Sequence, residues 1–290
     1  MSVSVGTVRM SRARARSRSA WNIVFLGCCY VSAAIVLVPL ASILWELIHL
    51  GAPGLTLNFF LKMPKPVGEV GGGMANAVVG TLILVGLGAL FAVPIGVGAG
   101  IYLAEYRGGR FATAIRYLTD VLAGVPSIVV GVAAYGLVVI PMGRFSAIAG
   151  GVALGILMLP TIVRSSEEVI RLVPRSYREG ALALGAPRWR VIQGVVLKAA
   201  RPGIVTACML SIARAAGETA PLLFTALGNR FWSTAIDKPM ASLSVFIYDY
   251  AKSPYSDWNR QAWTASLVLV MLVTLMSAAL RITVRRVRSR

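Results

Sequence analysis

Arg214 and Glu218 sit four residues apart in the stretch "SIARAAGETAPLLFTALG" (211–228), one of the most apolar parts of the chain. A guanidinium cannot escape burial by losing its proton, because its pKa lies above about 12. Near mid-membrane it costs at least roughly 2.5–3.5 kcal/mol. A residue of this kind is expected to face a bundle interior or a wet path. The i to i+4 spacing predicts that Arg214 and Glu218 share one helix face. Pro221 is expected to weaken the helix just beyond them and to free the carbonyl of residue 217. Gly217 lets a backbone or a substrate approach, and Thr219 completes the candidate set. Two chemistries remain open. One is an ion pair that only neutralises the span. The other is a permeation site in which the guanidinium fork meets an oxyanion in bidentate fashion.

The surrounding elements follow from composition. Hydrophobic residues make up 57% of the 290 and charged residues 14%, with a mean hydropathy of +0.75. Soluble domains carry about 25% charged residues. Apolar runs long enough to span a bilayer, roughly 20 residues as a helix, lie at 22–50, 74–104, 117–141, 145–164, 202–228 and 262–282. Their length and number exclude buried soluble helices. The expected fold is all-α, a polytopic membrane protein with six transmembrane helices.

The net charge of +18 is distributed by this topology. With both termini on the cytoplasmic side, 21 of the 29 Lys and Arg residues fall inside, seven fall outside, and Arg214 lies within a span. That bias sets orientation and provides contact with lipid headgroups, so the basic balance does not imply nucleic acid. The basic-then-apolar start is not a secretory signal, because its apolar run is too long and further spans follow. Cys28, Cys29 and Cys208 fall inside spans without metal-ligand spacing and read as apolar packing residues. His49 closes the first span at the interface. The expected organisation is a basic cytoplasmic tail at 1–20, a permease domain at 21–284 that includes a cytoplasmic loop at 165–201, and a second basic tail at 285–290.

Other chemistry is missing. There is no G-x-x-x-x-G-K-[ST], so the chain is not expected to hold its own ATP or any other cofactor. "GVGAGIY" (96–102) fails the dinucleotide pattern. Its glycines, with Gly86, Gly88, Gly150, Gly151 and Gly155, read as points of close helix approach. No Ser/His/Asp set or paired carboxylates is visible, so an enzyme is not expected.

The loop "RSSEEVIRLVPRSYREGALALGAPRWRVIQGVVLKAARPG" (164–203) reads as two short helices. One starts at Pro174 and stops at Gly185, where glycine tolerates the left-handed conformation. The other starts at Pro187 and runs through Val191, Val195 and Leu197. Such a loop either docks into a partner or lies on headgroups. It resembles the cytoplasmic signature of bacterial ABC importer permeases, with Glu179, Ala181, Gly185, Val195 and Leu197 in register. It departs from the pattern at Gly180 and at Lys198, with Pro202 four residues later. In that family the loop inserts as a coupling helix into a cleft of an ATPase subunit.

"GGGMANAVVGTLILVGLGALFAVPIGVGAGIYLAEY" (71–106), "LAGVPSIVVGVAAYG" (122–136) and "ARAAGETAPLLFTALGN" (213–229) together resemble the A-type permease subunit of bacterial phosphate-specific (Pst) transport, over roughly residues 70–265. The resemblance implies type I importer architecture in the bacterial cytoplasmic membrane and half of a phosphate pathway. It also implies a homologous second permease, two ATPase subunits that bind Mg-ATP and are coupled through residues 174–199, and an extracytoplasmic phosphate-binding protein. Under that resemblance Glu218 acquires a selective role. Hydrogen phosphate still carries a proton that it can donate in a hydrogen bond to a carboxylate, and sulfate cannot. Another oxyanion (phosphonate, sulfate or molybdate) and an uncoupled channel or sensor remain alternatives. The aromatic outside loop 229–261 reads either as an interfacial belt or as a lip for the substrate-delivering protein.

Overall fold

The computed structural model describes residues 12–106 and 108–288, with side chains from 21 to 279 apart from residue 107. The first part of the expected N-terminal tail, residues 1–11, and the last two residues of the C-terminal tail lie outside the described residues. The described structure is all-α, with only isolated bridges at Pro64–Gly72 and Leu227–Met240.

The chain divides at His49 into two units. The first holds most of α1 (Arg12–Gly51), a helix with Pro39 in its interior and apolar residues on every side. In the second, α2 (Ala75–Glu105) and α5 (Ala147–Arg171) form the most extensively packed helix pair. Glycine makes this possible. A Cβ on Gly88 would sit 3.1 Å from the Gly151 carbonyl, and one on Gly100 would sit 2.6 Å from Ser166 Cβ. Gly150, Gly151 and Gly155 make similar approaches, as their spacing suggests, whereas Gly86 faces open space. Leu84, Leu154, Met158, Ile162 and Ile170 fill the buried seam.

The span expected at 117–141 is two helices. α3 (Arg110–Gly124) and α4 (Ser127–Met142) meet at a bend of 108°. The cause lies in Val125–Pro126. A residue before proline is pushed out of the helical region, and Val125 takes ψ 129°. A continuous apolar run conceals such a break. With this pair counted as one broken span, the helices long and apolar enough to cross a membrane number up to six.

The expectation for residues 188–228 also needs correction. The second short cytoplasmic helix is instead the beginning of a long one, α7 (Arg188–Ala216), continuous through a π-helical turn at Ile192–Val196. It stops at Ala216, well before residue 228, and the short α8 (Ala220–Thr225) follows. α5 likewise runs past 164 to Arg171, so the segment between the long helices contracts to 172–187. That segment holds α6 (Arg175–Ala183). The Ser211 hydroxyl donates to the Met158 carbonyl at 3.1 Å and ties α7 to α5.

Beyond α8 the chain forms α9 (Leu243–Ala251), capped by the Ser242 hydroxyl on Val245 N, and then α10 (Ser256–Arg288). Tyr250 stacks on Trp258 at 4.2 Å, and both rings are buried, as is Phe246. Phe231 and Trp232 remain exposed. The aromatics of the outside loop therefore divide between a packed cap and an open rim.

Candidate functional site

Arg214 lies in the last turn of α7, where a cation favours the negative end of the helix dipole. The backbone tightens immediately after it: Gly217 N donates to the Arg214 carbonyl at 3.2 Å, and Glu218 N to the Ala215 carbonyl at 3.1 Å. The helix therefore ends between the two charged residues. They do not share a helix face, although the turn still brings Arg214 Nε within 4.0 Å of Glu218 Oε1. Pro221 is not what breaks the helix. It lies in the first turn of α8 and packs against Gly131 of α4, where an added Cβ would come 2.7 Å from Pro221 Cα.

The pair is asymmetric. The Arg214 side chain is 75% exposed and that of Glu218 20%. At 4.0 Å and with one partner this open, the attraction is of the weak, solvent-screened kind. Arg214 turns away from its own chain's interior, and its guanidinium fork is free to meet another group. Gly217 is open, with the Arg214 carbonyl at 3.7 Å the nearest atom an added Cβ would meet. Thr219 Oγ1 donates to the Ser244 carbonyl at 3.4 Å, and Ser244 Oγ donates to the Glu218 carbonyl at 2.9 Å. Helix α9 thus holds the turn that carries the candidate site. One α7 turn before Arg214, Leu210 borders a cavity of about 470 Å³ between α5 and α7, lined also by Ser165, Glu168, Gly203 and Thr206.

The second candidate set divides. Glu179 and Gly185 are exposed on α6 and at its end, and Ala181 is half-buried against the core. Gly185 takes φ +78°, the left-handed stop its position suggests. Leu172, Tyr177, Leu184 and Trp189 add exposed apolar surface around α6. Val195 and Leu197 belong to the start of α7 and pack into the core rather than beside α6.

A further charged cluster escaped the sequence reading. Glu167 is buried on α5, with Arg116 Nε of α3 at 2.9 Å, Arg171 at 2.5 Å and Arg164 at 4.0 Å. Arg164 also pairs with Asp120, and Arg116 donates to the Leu103 carbonyl at 2.8 Å. A buried carboxylate needs such partners. The signal was present in the spacing of Arg164, Glu167 and Arg171, which place themselves on one helix face. It was hidden because those residues read as loop.

The family profile described as "Binding-protein-dependent transport system inner membrane component" matches residues 96–289. The chain is 44% identical over 257 residues to the phosphate transport system permease protein PstA of Haemophilus influenzae, covering 88% of this chain and 91% of that one. It is 42% identical to PstA of Yersinia pestis, covering 92% of each. The chain belongs to the PstA permease family. Among solved structures, this permease is similar in fold to a chain of the MetNI methionine ABC transporter, with TM-score 0.59, 23% identity and coverage of 74% and 97%. It is also similar to a chain of a bacterial alginate ABC transporter, with TM-score 0.64, 13% identity and coverage of 96% and 98%. It is therefore a permease subunit of an ABC importer, built on the type I fold that its bent and long helices outline.

Proposed function

We propose that this permease forms half of the path by which inorganic phosphate crosses the bacterial cytoplasmic membrane. The observation that carries the reading is the open guanidinium of Arg214, held at a helix end beside the carboxylate of Glu218. Arg214 supplies the fork for phosphate oxygens. Glu218 accepts a hydrogen bond from the P–OH of hydrogen phosphate, and Gly217 and Thr219 shape the turn between them. Because Arg214 faces away from this chain's core, a second, homologous permease completes the path from the other side.

Energy comes from two ATPase subunits that bind Mg-ATP, docked on α6 through Glu179, Ala181 and Gly185, with Val195 and Leu197 supporting the start of α7. The exposed apolar rim of α6 and the left-handed Gly185 support this assignment. An extracytoplasmic phosphate-binding protein delivers substrate to the face formed by α9 and the 229–242 segment. Both termini lie in the cytoplasm, with 1–20 and 285–290 as basic tails on the lipid headgroups around a permease domain at 21–284.

The test is a double-mutant cycle with uptake and membrane protein level measured together. Arg214→Gln is expected to leave protein in the membrane and abolish phosphate uptake, and Arg214→Gln with Glu218→Gln is expected to stay inactive. If the double variant regains uptake, the pair is merely structural, since replacing both members of a pair costs less than breaking it. That outcome would remove Arg214 from the pathway.

A further inference from the structure

α6 has no fully buried residue of its own, yet it must stay attached to the helices it is to move. Its most polar attachment is Arg178. One nitrogen, Nη2, lies 3.0 Å from Glu105 Oε1 at the end of α2 and donates at 3.0 Å to the carbonyl of Ile170 near the end of α5. A single guanidinium therefore bridges α6 to both members of the tightly packed α2–α5 pair. The side chains are 16% and 17% exposed, so solvent screens this contact less than it screens Arg214–Glu218.

The joint is incompletely satisfied. Arg178 Nε and Glu105 Oε1 are buried without a hydrogen-bond partner, so charge rather than directed hydrogen bonding holds the pair together. Burying such groups unpaired is unfavourable. Beside the pair lies a cavity of about 280 Å³, lined by Glu105, Tyr106, Arg178, Leu182, Arg188 and Ile192. Its far wall opens the π-helical turn Ile192–Val196, a local geometry that often marks functional sites. The polar attachment is thus one guanidinium, next to the apolar contact of Ala181, with the cavity beside it and the π-helical turn behind it.

We infer that Arg178 and Glu105 form the joint through which movement of α6 reaches α2 and α5, with Arg178 as a positioning residue for coupled transport. This rests on the reading that α6 docks on an ATPase subunit. Arg178 faces its own chain, so its part is distinct from the docking contact, which falls to the exposed residues of α6.

The test uses the whole transporter in liposomes and reads three quantities: ATPase retained on the permease, ATP hydrolysed, and phosphate taken up. Arg178→Gln and Glu105→Gln are each expected to keep the ATPase bound and hydrolysing while uptake per ATP falls about tenfold. Arg178→Lys, which keeps a charge for Glu105 and a donor for the Ile170 carbonyl, is expected to stay within about twofold of wild type. Unchanged uptake per ATP in Arg178→Gln, or loss of the ATPase from it, overturns the joint. Should Arg178→Gln fail to insert, Glu105→Gln and Arg178→Lys still decide, since an inserted Arg178→Lys variant that couples no better than Glu105→Gln also overturns it. A photo-cross-linker at Leu184, 90% exposed, tests the docking itself. No cross-link to the ATPase removes the docking reading, whereas a cross-link together with normal coupling in Arg178→Gln removes only the joint.

Discussion

Ser244 Oγ donates a 2.9 Å hydrogen bond to the carbonyl of Glu218 and so joins α9 to the turn that ends the helix of Arg214. The Thr219 hydroxyl returns the contact to the carbonyl of Ser244. A shift of α9 therefore acts directly on the position of the Glu218 carboxylate. Leaving a buried carbonyl unpaired costs roughly 1–3 kcal/mol. Ser244→Ala is expected to raise the KM of phosphate uptake about fivefold, the equivalent of ~1 kcal/mol, at normal protein level. An unchanged KM would show that the turn holds its shape without α9.

In the proposed pathway, Glu218 is expected to set selectivity. A carboxylate rewards a substrate that brings a proton and repels one that does not. Glu218→Gln offers an amide, which can donate to either anion. Phosphate uptake in this variant is expected to persist at a reduced rate and to become sensitive to competing sulfate. Competition curves with both anions provide the check, and sulfate inhibition equal to wild type argues against the acceptor role.

Gly185 carries φ +78° at the end of α6. A side chain in that conformation costs roughly 1–2 kcal/mol, and a β-branched one fits worst. Gly185→Val should insert normally but lose uptake, with the ATPase uncoupled or absent. Gly185→Asn, which tolerates the left-handed region, should retain more activity. Equal activity in the two variants would mean the backbone conformation at 185 does not matter for coupling.

Glu167 is the carboxylate that Arg116, Arg164 and Arg171 share, and Asp120 pairs with Arg164 as well. Glu167→Gln leaves three cations close together with no counter-charge at their centre. The expected loss is about 3 kcal/mol, the lower end of the cost of breaking a buried pair, because Arg164 and Arg171 reach water. Thermal unfolding in detergent should show a clear drop in Tm. A Tm within error of wild type would place the cluster in a solvated setting.

Orientation can be read with two labels. A reporter fused after residue 290 should be cytoplasmic. A cysteine replacing Phe231, 78% exposed, should react from outside; Ser242 is buried and unsuited to this. Reversed labelling would place α6 on the side without ATP.

Much of the fold was legible because lipid imposes a simple rule on each span: twenty or so apolar residues. The run at 74–104 maps almost unchanged onto Ala75–Glu105. The rule gives no warning of a turn that is itself apolar, which is why Val125–Pro126 was passed over. It also fails where a helix continues into water. Arg188–Leu197 looks polar and separate, yet it is the first part of α7, and Arg164–Arg171 is the last part of α5. The Glu167 cluster and the Arg178–Glu105 pair were lost with those boundaries, since Glu105 and Arg116 lie far away in sequence. Arg214 and Glu218 were visible because full charges stand out against an apolar background. Their separation by a helix end was not visible, since it depends on where Gly217 stops α7.

Between α2 and α5 the glycines leave no slack. An added Cβ on Gly96 would meet Ile162 at 2.7 Å, and one on Gly151 would meet Leu87 at 2.6 Å. Surfaces interlocked this closely cannot slide by a residue without collision. The pair therefore moves as one body, a rigid beam to which the other parts are joined. In the proposed pathway, alternating exposure of Arg214 is expected to come from the elements that meet this beam: α3–α4 at its 108° elbow, and α7 with the π-helical turn in its first part. Spin labels on α2 and α5 would keep one separation throughout the ATP cycle, while a label on α4 would not.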